Sequence, residues 1–395
     1  MIDFDTAKVQ LLAGCECRLK TETLPLAKAA GRILAQTLSA RYPSPMFDNS
    51  AMDGYAVCDP SDGLREFTIV SRIQAGDTAE TPLAAGEAVR IFTGAPLPPN
   101  TTAVVMQEQT ETDGNLLRVT ADIKAGQNMR LKAEEIQVGQ TLLAQGSRLN
   151  TAASGLAASQ GYAEVEVYKS LKVLVFSTGN ELAEPGRALS DGQIYDANRY
   201  QLIAWLQSLG AEVCDGGIIP DDPAKTEAAL KNAAENFDAV ITSGGASVGE
   251  ADYLKQTVER AGELTSHSVA IKPGKPFAWG RIGRADIFIL PGNPVAAFVT
   301  AHMLLLPALN KMAGGNGDGL QEIRTTAAFT TKKAIKRREF LRVVLTNDHK
   351  TTARLLPNQG SAMLATCCEA EALCEVPAGE TVNEGDLVRI YLLPK

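Results

Sequence analysis

The run KVLVFS at Lys172–Ser177, closed by Thr178-Gly179, decides the fold of this chain. It is short, apolar and rich in β-branched residues, as a strand buried on both faces requires. Reading outward, Asp196–Leu209 carries Leu202, Ile203, Trp205, Leu206 and Leu209 at helical spacing, and Gly210 can close that helix. Val213–Ile219 reads as strand, Pro223–Asn236 as helix, Ala239–Thr242 as strand and Asp252–Ala261 as helix. Strands are expected around Ser268–Ile271, Phe277–Trp279 and Asp286–Leu290, before a long helix over Pro294–Met312. Strands alternating with helices imply βαβ units and a parallel-rich sheet covered on both faces.

The flanks have a different pattern. Residues 43–139 are rich in Pro, Gly and Thr, with the β-type runs FTIVSRI, AVRIF, TAVVM and LLRVT, and predict a small β domain. Residues 1–40 contain helical stretches, and Thr151–Gly161 is a further helix candidate. The expected organisation is a discontinuous domain over 1–42 and 140–170, with a β domain over 43–139 inserted into it. An α/β domain over 171–318 and a C-terminal β barrel or sandwich over 319–395 follow. A chain of 395 residues is too long for one ordinary core, which agrees with several units.

Composition bounds the function. The formal charge of −8 argues against nucleic acid, where a basic face supplies most of the affinity. The N-terminal segment MIDFDTAKVQ has no apolar signal core, and the apolar segment Val295–Leu309 is interrupted by Thr300, His302 and Pro307. No membrane association and a cytoplasmic location are therefore expected. Seven cysteines without a C-x-x-C pair, and three isolated histidines, give neither a disulfide framework nor a zinc site.

In an open parallel α/β sheet, ligands bind beyond the carboxyl ends of the strands. Those ends carry Thr178-Gly179-Asn180-Glu181, Pro220-Asp221-Asp222, and Ser243-Gly244-Gly245-Ala246-Ser247-Val248-Gly249 with Asp252 beyond. A later one carries Pro291-Gly292-Asn293-Pro294 at a helix start. Small residues let backbone approach a ligand, and free amides at helix starts favour anions. No G-x-G-x-x-G follows the first strand and no P-loop is present, so ordinary NAD or ATP chemistry is disfavoured. Lys272-Pro-Gly-Lys275-Pro can aim two ammonium groups at one anion, or can be a solvated basic turn. Asp53 in FDNSAMDGY and Thr93 in TGAPLPP read, by themselves, as turn residues.

Together the segments FDNSAMDGYAV, TGAPLPP, STGNEL, GQIYDANRY, SGGASVGEADY, IKPGKPFAWG, LPGNPVAAFV and RREFLR resemble the MoeA family, which includes the gephyrin E domain. They occur in family order from about residue 30 to about residue 365. The resemblance implies an elongated four-domain subunit that forms a homodimer, with a MogA-like molybdopterin-binding α/β domain. It also implies an active site at the subunit interface. The implied reaction is molybdenumtransferase chemistry: molybdate and adenylylated molybdopterin react with Mg²⁺ assistance, and AMP is released. A MogA-type adenylyltransferase is the implied supplier of substrate.

Carried over motif by motif, Asp53, Thr93, Glu181, Asp221, Asp252, Lys272 and Lys275 fall on active-site positions. Glu181, Asp221 and Asp252 are the implied metal ligands. Thr178, Gly179, Ser243, Gly244, Gly245, Ser247, Gly249, Pro291, Gly292 and Asn293 would contact the cofactor, as would Glu135 (where Asp is usual in the family) and Ser361. Asn180, Ala362 and Ser268 depart from the usual pattern, as does the segment RLKAEE at Arg130–Glu135. A tungstate-preferring paralogue and a non-catalytic molybdopterin-binding or scaffold protein are the alternative readings.

Overall fold

The computed structural model describes residues 1–59, 61, 63–244, 253–346 and 351–394. Two compact units divide the chain. One comprises residues 1–36, 145–151 and 164–395; the other comprises residues 37–144 and 152–163.

The first unit contains the α/β sheet. Its elements in chain order are Lys172–Thr178 (β1), Asn198–Ser208 (α1), Glu212–Ile219 (β2), Pro223–Asn236 (α2), Ala239–Ser243 (β3) and Tyr253–Ala261 (α3). Then come Glu263–Ser268 (β4), Ile271–Lys272 (β5), Pro276–Ile282 (β6), Ala285–Leu290 (β7) and Pro294–Thr300 (α4). The sheet order is β2-β1-β3-β7-β6-β4; the first three pairings are parallel and the last two antiparallel. Side-chain alternation explains the continuous apolar runs. Val173, Val175, Ile241, Phe288 and Leu290 pack into one core with Leu202, Leu206 and Val295. Phe176, Val240, Ile287 and Ile289 pack into the other with Leu230, Leu254 and Val258. The central strands β1, β3 and β7 are buried on both faces, as their sequences predict, whereas the edge strand β2 is largely exposed.

Two details differ from the sequence reading. The strand expected at Ser268–Ile271 resolves into β4, which pairs with β6, and the short β5, which leaves the sheet. Val269 donates to the Lys275 carbonyl at 2.8 Å, so the intervening residues form a closed loop. The long helix is also interrupted: after α4, a π-helical turn spans Ala301–Leu305 before Leu306–Met312 (α5). Pro307 has no N–H and its ring would meet the carbonyl four residues back, and the wider turn relieves that conflict. The Pro294–Met312 segment is long and apolar enough to cross a membrane, but 78% of it is buried inside the protein, as a core helix is.

The C-terminal part of this unit comprises Glu322–Ala327 (β8), Arg338–Thr346 (β9), Thr352–Leu355 (β10), Ala372–Val376 (β11) and Leu387–Leu392 (β12). Pairings β9–β10, β10–β8, β8–β12, β12–β11 and β11–β9 close a five-stranded barrel. Closure removes the exposed edges an open sheet would leave. Leu341, Val343, Ala353, Cys374, Val376 and Ile390 contribute to its core. β5 attaches to the outside of β9, with Ile271 opposite Arg338 and Lys272 opposite Glu339. Residues 1–40 hold one α-helix, Phe4–Gly14; the strand Thr21–Pro25 pairs with Glu164–Tyr168.

The second unit is built on a six-stranded sheet: Ala103–Met106, Gly54–Val57, Glu87–Ile91, Glu66–Ile73, Leu116–Val119 and Thr110–Asp113, in spatial order. All four runs singled out in this region are strands.

Candidate active site

Beyond the carboxyl ends of β1, β3 and β7 lies a cavity of about 1160 Å³. Its lining includes Thr178, Gly179, Glu181, Asp221, Ser243, Gly244, Lys272, Lys275, Pro291, Gly292, Asn293 and Ser361, all singled out from the sequence. Residues separated by up to 183 positions in the chain are thus brought to one edge (361 − 178). Gly245, Ser247, Gly249 and Asp252 lie outside the described residues.

Local backbone constraints set the acidic side. Gly179 has φ +145°, and a Cβ there would stand 2.5 Å from a Glu181 carboxylate oxygen. The glycine therefore makes the room that Glu181 occupies. Asn180 and Asp221 bond reciprocally at 3.3 Å: the Asn180 N–H donates to the Asp221 carboxylate, and the Asp221 N–H to Asn180 Oδ1. Asn180 supplies its acceptor here without adding a second carboxylate beside Asp221.

Behind these turns, the start of α1 acts as a brace. Asn198 Nδ2 donates to Ser243 Oγ at 2.5 Å and to the Gly292 carbonyl at 2.6 Å. Gln201 Nε2 donates to Asn198 Oδ1 and to the Pro294 carbonyl. Asp196, almost fully buried, accepts from Ser177 Oγ at 3.1 Å and from Arg199 Nε at 2.9 Å. Arg199 also bonds Asp215, and Glu184 at 2.6 Å. Burial opposes the Arg199 charge, but these three carboxylates outweigh it and raise its pKa. Asp196, Asn198, Arg337 and Gln359 also line the cavity and were not among the individual residues read from the sequence. GQIYDANRY was the available signal for the first two.

The basic side is formed by Lys272, Lys275 and Arg337. Lys272 Nζ meets Glu339 at 2.6 Å. Arg337 Nη1 donates to the Ile271 carbonyl at 3.3 Å. Lys275 is exposed and has no ion-pair partner among the described residues. Two of the first-turn positions of α4 offer no free amide. Pro294 has none, and the Val295 N–H is taken by the Ser361 carbonyl at 3.0 Å. Arg342, fully buried, donates to the Asn358 and Gly360 carbonyls and so fixes the barrel loop that carries Ser361.

Asp53, Thr93 and Glu135 belong to the second unit. Asp53 Oδ1 accepts from the Thr93 N–H at 2.8 Å and Thr93 Oγ1 at 2.7 Å. These bonds, the backbone one first, hold the Asp53 carboxyl below its ordinary range. Gly54 opens a strand instead of a turn, and a Cβ there would overlap the Val105 carbonyl. Glu135 accepts from Ser44 Oγ at 2.8 Å.

Among the described residues, no three His, Cys, Asp or Glu side chains converge on a metal-sized site. Among the described lining residues, Glu181 and Asp221 are the two carboxylates outside the Arg199 cluster, and Mg²⁺ needs only one or two with water and phosphate. The donor chemistry present fits that ion.

Comparison with known proteins agrees along the whole chain. Family models described as MoeA N-terminal region (domain I and II), probable molybdopterin binding domain, and MoeA C-terminal region (domain IV) match residues 2–161, 174–311 and 324–393. A molybdopterin molybdenumtransferase of Haemophilus influenzae is 38% identical, covering 97% of this chain and 98% of its own. One from a Nostoc species is 34% identical over 99% and 93%. A crystal structure of a molybdopterin biosynthesis MoeA protein from Pyrococcus horikoshii superposes with TM-score 0.83 at 27% identity, covering both chains fully.

Proposed function

This chain belongs to the MoeA family, and on that premise we infer that it is a molybdopterin molybdenumtransferase acting in molybdenum cofactor biosynthesis. The observation that carries the reading is the cavity of about 1160 Å³ at the sheet edge, whose lining includes two lysines, Lys272 and Lys275, and the carboxylates Glu181 and Asp221. The finer reaction we propose takes adenylylated molybdopterin and molybdate, places molybdenum between the dithiolene sulfurs and releases AMP.

Two anionic substrates must meet in one site, and their repulsion has to be offset by fixed positive charge. Lys272, Lys275 and Arg337 supply that charge on the wall nearest the barrel. The main-chain turns at Thr178-Gly179, Ser243-Gly244 and Pro291-Gly292-Asn293 give a surface without bulky side chains for the pterin and its phosphate. Ser361 would contribute a hydroxyl from the barrel loop. Glu181 and Asp221, with Asp252, would hold Mg²⁺; that ion supplies Lewis-acid polarisation of a phosphoanhydride. The residues themselves orient the substrates and limit water access, which is where most of the positioning gain in such transfers arises.

The same proposal includes the four-domain organisation and a homodimer with its active site at the subunit interface, to which Asp53, Thr93 and Glu135 would contribute. It also includes a cytoplasmic location and supply of substrate by a MogA-type adenylyltransferase. The decisive experiment is Lys275→Ala with purified adenylylated molybdopterin, Mg²⁺ and molybdate. AMP release should be abolished while sedimentation still reports the wild-type assembly; near-normal turnover would sink the reading. Substituting tungstate for molybdate in the wild-type assay separates the paralogue reading.

A further inference from the structure

Lys272 is not a free cation. Its Nζ lies 2.6 Å from Glu339, whose side chain is only 14% exposed, whereas that of Lys272 is 42% exposed. The pairing is built into the backbone, because Lys272 and Glu339 are direct partners in the β5–β9 register. Arg338 N–H donates to the Ala270 carbonyl at 2.8 Å and Arg337 to the Ile271 carbonyl, so Arg337 and Arg338 hold the two residues that lead into Lys272. Glu339 is the one acid in the run KKAIKRREFLR. It projects its charge towards the wall of a cavity whose inferred substrates are anions.

That placement has two opposite consequences. An ammonium has three donors in no fixed plane, and an anchored partner for one of them aims the rest. The same carboxylate repels whatever anion binds on the far side of Lys272, and Coulomb repulsion doubles from a monoanion to a dianion. We propose that Glu339 is a positioning residue for Lys272 that also moderates the affinity of the cavity for oxyanions, most strongly for dianions. This rests on the functional reading above. Its role is to hold the lysine in place for transfer without letting the oxyanion bind so tightly that turnover suffers.

Molybdate and perrhenate test it, being tetrahedral oxyanions of nearly the same size with charges of −2 and −1. Binding of each is measured by calorimetry on wild type, Glu339→Gln, Glu339→Asp and Lys275→Ala, with thermal melts as a check of folding. Glu339→Gln should tighten molybdate by about tenfold and perrhenate by only about threefold, half the logarithm, as Coulomb's law requires. In the AMP-release assay the same variant should show lower KM for molybdate and lower kcat. Glu339→Asp keeps the charge and loses the reach, so affinity should stay within about twofold while kcat falls.

A folded Glu339→Gln with both affinities unchanged, or both tightened equally, or both lost, overturns the proposal. An unchanged kcat in Glu339→Asp overturns the positioning role even if the Gln variant does not fold. Lys275→Ala separates the two layers. If it binds molybdate like wild type, the anion cavity itself is misassigned and the proposal falls with it. If it loses molybdate while the Glu339 variants behave as wild type, only the role of Glu339 fails.

Discussion

The Asp53 carboxylate is held by Thr93 through both the backbone amide and the hydroxyl of that one residue, at 2.8 and 2.7 Å. Two segments that each read as turns thus define one carboxylate's position and charge. Thr93→Val removes the hydroxyl and keeps the amide and the shape. AMP release should fall by about tenfold to a hundredfold, as small misplacements of a site group cost. The Asp53 pKa, followed by NMR, should rise towards the ordinary carboxylate value. The sign of the linkage follows from the lowered folded pKa. Its contribution to stability is present above the unfolded value near 3.8 and is lost as pH falls through the lower folded one. In Thr93→Val that acid-limb loss should shrink; unchanged activity and an unchanged Asp53 pKa would refute the arrangement.

Asn198 is a single amide that ties two strand ends together. Asn198→Asp keeps the size but leaves an acceptor-only group facing the Gly292 carbonyl. Burial of the unsatisfied groups should cost about 1–3 kcal/mol, measured by urea unfolding. Molybdate binding should weaken as well, because Ser243 and Gly292 both line the cavity. A variant as stable as wild type would show that the brace is not needed.

His302 gives a pH signature remote from chemistry. Burial, partly offset by its bond to the Phe298 carbonyl, pushes its pKa down to about 4, and its ring packs against Phe298 and Trp205. Between pH 6.5 and about 4 the unfolded chain takes up a proton that the folded chain does not. Stability should therefore decline as pH falls through this window, by about 1.4 kcal/mol per unit from this group. His302→Leu should flatten that part of the profile in denaturant titrations at stepped pH. An equally steep profile in the variant would assign the loss to other groups.

Much of the α/β architecture was legible in one dimension. Runs such as KVLVFS and ADIFIL have the length and branching of strands buried on both faces, and their burial needs no knowledge of the neighbours. Pro223–Asn236 is legible for a similar reason: Asp222 caps it, accepting from the Ala224 and Lys225 amides, and Pro223 starts it. The π turn before Pro307 was less legible, since proline predicts a conflict but not how the helix resolves it.

By itself the sequence determined the order of elements, the strand ends that carry small and acidic residues, and the motif set that marks the family. Those depend on local periodicity, turn chemistry and residue identity. Only the tertiary structure decided which groups meet. Lys272 is paired with a glutamate 67 positions away (339 − 272), and Asn198 reaches Ser243 and Gly292 from the start of a helix. At the helix start expected to favour anions, the Val295 amide goes to the Ser361 carbonyl. Hydrogen bonds and ion pairs act over a few ångströms in space and carry no trace of sequence separation, so the partners of a charged side chain appear only once the chain has folded.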